Sequence, residues 1–342
     1  MSSPRHVLVL GGNGKISRLL TEIVLKKSWS VTSVIRTQEQ VKDLEAFGAQ
    51  FPGKFTVLVH DLEKVDSQEK AAAIIKEASP DSVFWCAGAG ATGSQDRVFR
   101  IDRDAAVHFT QAAVATPAVT HFITVSYLGA RRAKAPWWTA DDWAGWEKVN
   151  STFLARYYEA KVAADEAVVT EARKRDGFCA VSVRPGGLTD KDPGGVLMGQ
   201  TEKARGMTSR ATTAKVVALL LKAADVKSRW LDVLDGDEDA QVAVERCVRD
   251  GTECAEGEAI YSVNRRSTTY KTVSADLHIS PHAPPLPLWA ASTRKSHVGG
   301  DIEAGDRGTE DIRVDGRANL RPIPAPAILP VPAPTIESQK SV

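Results

Sequence analysis

Short unbroken apolar runs alternate along this chain with stretches whose apolar residues recur every three or four positions. Val7, Leu8, Val9 and Leu10 form the first run, with no polar alternation, as expected where both faces of a strand are covered. Ile16, Leu19, Leu20, Ile23 and Val24 then fall on one face of a helix. The same rhythm predicts further strands at residues 31–36, 56–60, 82–86, 121–126, 179–183 and 230–234. Helices are expected near 70–77, 98–114, 153–173, 213–224 and 240–249. Strands alternating with helices predict an α/β fold, a doubly wound parallel sheet. Ligands on such sheets sit beyond the carboxyl ends of the strands.

The alternation closes near residue 258, which sets a compact part at 1–258. Two segments interrupt it. Residues 130–150 hold four of the eight tryptophans, at 137, 138, 143 and 146. They are read as a cover over a substrate pocket, a partner surface or a loop packed on itself. Residues 188–210 are the other candidate capping segment, and 191–206, rich in glycine, is expected to be mobile. Residues 259–342 differ in kind: ten of the seventeen prolines follow position 280, and the stretch is expected to be a mostly disordered, proline-rich tail.

Composition narrows the function classes. A net charge of +1 gives no sign of a nucleic-acid or membrane field, and no apolar run approaches the ~18 residues of a membrane span. Cys86, Cys179, Cys247 and Cys254 lack metal-ligand spacing, so no metal site is expected and the thiols read as reduced. The start, MSSPRH, runs straight into a strand with no secretory signal, and the expected location is cytoplasmic.

The chemistry begins in the first turn. Gly11, Gly12, Asn13, Gly14, Lys15 and Ile16 join a strand to a helix N-terminus, where free backbone N–H groups and the positive end of the helix dipole face an anion. The spacing is Gly11-x-x-Gly14-x-x-Ser17, a variant of the dinucleotide signature, and a purely structural turn is the other reading. Arg36 ends the second strand, 22 positions beyond Gly14, where an acid would bind ribose hydroxyls and an arginine suits a 2′-phosphate. NADP is therefore expected over NAD. Asp61 and Leu62 follow the third strand, with the Asp61 carboxylate in place for the adenine amino group. The small residues Ala87, Gly88 and Ala89 after the fourth let backbone lie against the cofactor.

Tyr157 lies four residues before Lys161, so both leave the same helical face, and Ser126 ends the fifth strand on the cofactor edge. A free phenol with a pKa near ~10 is a poor acid–base group at neutral pH. A neighbouring ammonium favours the phenolate. Tyr157 then serves as proton donor or acceptor at a carbonyl or alcohol oxygen, Ser126 orients that oxygen, and Lys161 also holds the nicotinamide ribose. A plain surface pair is the alternative for Tyr157 and Lys161.

Six segments in order over about residues 5–250 carry a resemblance: VLVLGGNGKISRLL, VIRTQEQ, VFWCAGAG, FITVSYLGARR, YYEAKVAADE and VRPGGLTD. The chain resembles the short-chain dehydrogenase/reductases, in the atypical branch of NmrA-like and biliverdin-reductase-B-like NAD(P)-binding proteins. The resemblance implies a Rossmann domain and an NAD(P)-dependent oxidoreductase acting on a small carbonyl or alcohol. It implies Ser126, Tyr157 and Lys161 as catalytic set, and Arg184, Pro185, Gly186 and Gly187 along the nicotinamide and substrate end. A homodimer fits as well. The 31-residue gap between Ser126 and Tyr157 is longer than usual for the family. A non-catalytic NAD(P)-binding regulator and a nucleotide-sugar epimerase or dehydratase are the competing readings.

Overall fold

The computed structural model describes residues 5–90, 94–223 and 225–261. Eight strands form one sheet: β3 (Phe55–Val59), β2 (Ser30–Ile35), β1 (His6–Leu10), β4 (Ser82–Trp85), β5 (His121–Val125), β6 (Cys179–Pro185), β10 (Arg229–Gly236) and β8 (Gly195–Met198), in that spatial order. Every pairing is parallel except the last, in which β8 runs antiparallel to β10. The expected doubly wound α/β fold is thus present.

The period of two along each strand divides the core. Val7, Val9, Phe84 and Ile123 face one layer, where α1 (Lys15–Lys26), α8 (Arg210–Lys222) and α9 (Ala240–Arg249) pack. Leu8, Leu10, Trp85 and Phe122 face the other, under α3 (Gln68–Ala78), α5 (Ala106–Ala115) and α7 (Ala155–Ala172). Both faces are dry, so the central strands tolerate no polar alternation. The short helix α2 (Val41–Gly48) packs beside β3.

Three departures from the sequence pattern bear on the site. The helix expected at 98–114 is built in three parts: α4 (Gln95–Val98), a π-helical stretch Phe99–Ala105, and α5. The π stretch adds a residue per turn and re-aims the side chains that follow. Residues 191–206, expected to be mobile, include a strand of the main sheet. Here β8 pairs with β10 through Met198 and Val233. Nearby, β7 (Gly187–Thr189) and β9 (Met207–Ser209) make a small parallel sheet. Several glycines of this segment sit where a side chain would collide, as at Gly195 and Gly206 against the β10 region.

The second half of the tryptophan-rich insert folds as α6 (Ala140–Ser151), closed at its start by a capping box between Thr139 and Asp142. Trp138 and Trp146 donate their indole N–H groups to Thr201 O and Ala204 O at 3.0 and 2.7 Å. Insert and loop therefore hold one another, around a small core of Leu128, Trp138, Ala204 and Leu234. Beyond Tyr261 the proline-rich segment lies outside the described residues. Among the described residues, no helix is long and apolar enough to cross a membrane.

Candidate functional site

Gly11 has a φ of +84°, and a Cβ there would come within 2.7 Å of Ala87 Cα. At Gly12 a Cβ would overlap Ser33 Oγ at 1.7 Å. Both positions therefore require glycine, the first for its left-handed backbone and the second for its space. Gly12 N–H donates to Val34 O and Gly14 N–H to Gly11 O, which ties the turn to the end of β2. Gly14 is the N-cap of α1 and caps with no side chain, so the first N–H groups of the helix are left open to a ligand. The Ile16 side chain is in the core, so only its backbone can serve such a ligand.

A cleft of about 270 Å³ opens beyond these strand ends. Among the expected cofactor residues, Gly11, Asn13, Gly14, Arg36, Asp61, Leu62, Ala87 and Gly88 line it. Asn13 is steadied by Arg18, which donates to its Oδ1. Arg36 is exposed and forms no ion pair among the described residues, whereas Arg97 across the cleft is already bound to Glu63 at 3.1 Å. Asp61 caps the turn after β3 by accepting from Glu63 N–H. Lys15 points away to the loop after β7, where its ammonium meets Asp190 at 2.5 Å.

A dinucleotide fits this arrangement. The glycine cradle would be filled by any Cβ, a helix N-terminus opens onto it, and an unpaired arginine stands at one end.

The residues expected to transfer the proton do not line this cleft: Ser126 follows β5, and Tyr157 and Lys161 lie on α7. Lys161 is 2% exposed and donates to Val125 O at 2.7 Å. Ser126, also buried, donates to Asp165 Oδ2 at 2.6 Å. Its proton is thereby committed, and toward the cleft its hydroxyl can only accept. Tyr157 stacks on Tyr127 with ring centroids 5.4 Å apart, and Tyr127 meets Trp146 at 5.9 Å. Its hydroxyl makes no hydrogen bond among the described residues. Burial, and next the negative charge of Asp102, push the Tyr157 phenol well above its usual range. The expectation was a phenol lowered by Lys161. In the structure that ammonium is turned to Val125 O, and the phenol stays firmly protonated.

Pro185 and Gly186 close β6 and do not line the cleft. Gly186 N–H is bound by Val233 O and Thr208 Oγ1, and a Cβ there would strike Gly206 O at 2.4 Å. Beneath them Arg184, wholly buried, bonds Asp165 and Asp232 and lies over Trp230 at 4.1 Å. Arg131 completes the set through Asp232 at 2.7 Å and Cys254 O at 2.6 Å.

Sequence reasoning missed Cys86, His60, Glu63 and Arg97 on the cleft wall, and Asp102 behind it. Burial pushes the Cys86 thiol up to about 11. Asp102 did carry a signal: it shares the apolar stripe with Ile101, Ala105, Ala106 and Phe109, where a carboxylate is out of place.

Comparison with known proteins follows the same lines. The NAD(P)H-binding family matches residues 11–224. UPF0659 protein C216.03 of Schizosaccharomyces pombe is 31% identical over 241 residues, covering 67% of this chain and 90% of its own length. Among solved structures, a Bacillus halodurans protein described as an NAD-dependent epimerase/dehydratase is 27% identical with a TM-score of 0.55. That match covers 71% of this chain and 99% of the other. An oxidoreductase of Lactococcus lactis shares the fold at 18% identity and a TM-score of 0.56, covering 71% of this chain and 97% of the other.

Proposed function

Because this chain belongs to the NAD(P)H-binding family, we propose that it is an NADP-dependent oxidoreductase reducing a small carbonyl compound, or oxidising the corresponding alcohol. The observation that carries the cofactor choice is Arg36. It is exposed at the end of β2, on the cleft wall and without a carboxylate partner, so an incoming 2′-phosphate meets a free guanidinium. The glycine turn and the open N-terminus of α1 bind the pyrophosphate. Bound there, the cofactor supplies a hydride equivalent.

Tyr157 holds the proton. With its phenol pushed up by burial, it is protonated at neutral pH and suited to donate to a carbonyl oxygen as charge builds there, which favours the reducing direction. The Tyr127 and Trp146 rings beside it make an apolar wall that excludes water from that transfer. Lys161 keeps two N–H donors beyond the one given to Val125 O, enough to hold a ribose hydroxyl. Ser126 accepts rather than donates, because Asp165 holds its proton.

Fluorescence titration of the purified protein with NADPH and NADH, repeated on Arg36→Ala, tests the reading. NADPH binding is expected to weaken in the variant by ~1–3 kcal/mol, the scale of one charge-assisted contact, with NADH unchanged. Absence of binding by either nucleotide overturns the proposal. One observation favours a second reading, a non-catalytic NADP-binding regulator: neither Ser126 nor Lys161 is hydrogen-bonded to Tyr157. Cofactor retained with no turnover on a carbonyl panel, and no effect of Tyr157→Phe, selects it.

A further inference from the structure

Asp102 is a carboxylate that takes no direct part in the reaction above. It sits in the π-helical stretch packed against α7, is 1% exposed, and among the described residues receives a single hydrogen bond, from Ala89 N–H at 2.8 Å. One donor is little for a buried carboxylate, which ordinarily gathers several or a full positive charge. Its other oxygen presses on the cofactor loop: a Cβ at Gly88 would stand 2.7 Å from Oδ1. The opposing charges that act on it are those of Lys161 on α7 and, more weakly, Arg97, and neither donates a hydrogen bond to it. Asp102 therefore lies under backbone that lines the cleft, beside the two proton-transfer residues, and its charge is only partly answered.

The reading above puts the adenosine end of the cofactor at Arg36, and the glycine turn in the middle. The nicotinamide end then falls toward Ala87–Ala89 and α7, over Asp102. The oxidised ring is a cation and the reduced ring is neutral, so only the oxidised form completes the electrostatics of this carboxylate. We propose that Asp102 and Lys161 act as an opposed pair that sets which redox state of the nicotinamide cofactor the protein prefers, Asp102 favouring the oxidised form and Lys161 the reduced. Neither residue need touch the ring. A buried charge several ångströms away acts through low-dielectric protein and is screened little by salt.

The proposal rests on dinucleotide binding but is tested separately from it. Affinities for NADP⁺ and NADPH are measured on the full chain at neutral pH, for the native protein, Asp102→Asn and Lys161→Met. Asp102→Asn keeps an oxygen for Ala89 N–H and removes the charge. It is expected to weaken NADP⁺ relative to NADPH by about tenfold. Lys161→Met is expected to move the ratio in the opposite direction. A merely structural role for either residue changes both affinities alike and leaves the ratio fixed, and that result overturns the proposal. A shift of the same sign in both variants overturns it as well. If Asp102→Asn does not fold, the direction given by Lys161→Met decides. If the native protein binds neither nucleotide, the dinucleotide reading itself has failed, and this proposal with it.

Discussion

The two ends of the sheet treat arginine in opposite ways. On the β1–β4 side, Arg36 stands exposed at a strand end and forms no ion pair among the described residues. On the β5–β6–β10 side, Arg131 and Arg184 are wholly buried and share Asp165 and Asp232 in a four-charge cluster of zero net formal charge. Charge left without a partner at an open cleft is available for a ligand. Charge closed off by its own chain can only hold the scaffold. The cluster joins β6, β10, α7, the loop after β5 and the loop at Cys254, and it takes the proton of Ser126 in doing so. The stable end of the molecule therefore dictates what one residue of the reactive end can offer.

The largest effect expected from breaking this contrast is on the sealed side. Asp232→Ala strips Arg131 of its carboxylate, leaving it only Cys254 O, and removes one of the four acceptors of Arg184, all in a dry interior. Removing one partner from a buried pair costs about 3–5 kcal/mol, and urea unfolding should show a loss of that size. A loss under about 1 kcal/mol would mean that water reaches the cluster, and the distinction between the two ends would collapse. Arg36→Ala, by contrast, should leave unfolding unchanged within about 0.5 kcal/mol, since nothing in the fold depends on it.

His121 gives the next effect, through pH. It lies at the start of β5, 8% exposed, with Nδ1 within 3.2 Å of the Arg5 guanidinium and 2.7 Å of Thr120 Oγ1. Burial, then the Arg5 charge, lower its pKa from the usual 6.5 to about 4. The unfolded chain therefore takes up a proton near pH 6.5, while the folded protein resists until about 4. Stability is lost as pH falls through that window, by at most ~3.5 kcal/mol at ~1.4 per unit. Unfolding of His121→Gln, measured between pH 7 and 4 against the native protein, should show a shallower decline. Equal slopes would show that His121 charges freely in the folded state.

The open end was legible in the sequence because its determinants are local. The glycine turn spans residues 11–14, and Arg36 follows at the interval the βαβ unit sets. The buried cluster was not legible, since its partners are 101, 48 and 19 residues apart and only the sheet order brings them together. The same holds for the indole bonds from the 130–150 segment to residues 201–204, which tie two separate loops together. Asp102 falls between the two cases. Its place on an apolar stripe could be read, but the π-helical turn that aims it under Gly88 could not. Ser126 was found by position, while its hydrogen-bond direction depends on Asp165 from another element.

The smallest effect concerns an exposed ion-pair link that reaches from the glycine turn to the capping segments. Asp190 binds Lys15 of the turn at 2.5 Å and Arg210 at the start of α8 at 2.7 Å. Both Lys15 and Asp190 are well exposed, so the pair adds little to folding. Its consequence is for binding: a lysine held by a carboxylate must give up that contact before it can serve a phosphate. Asp190→Asn should therefore leave unfolding unaltered and tighten NADPH by a few-fold at low salt, the gain fading as salt is raised. Weaker binding in the variant would reverse the assignment. Asp190 would then be the group that aims Lys15 at the cofactor, and the open end would depend on the capping segments for its charge as well as for its walls.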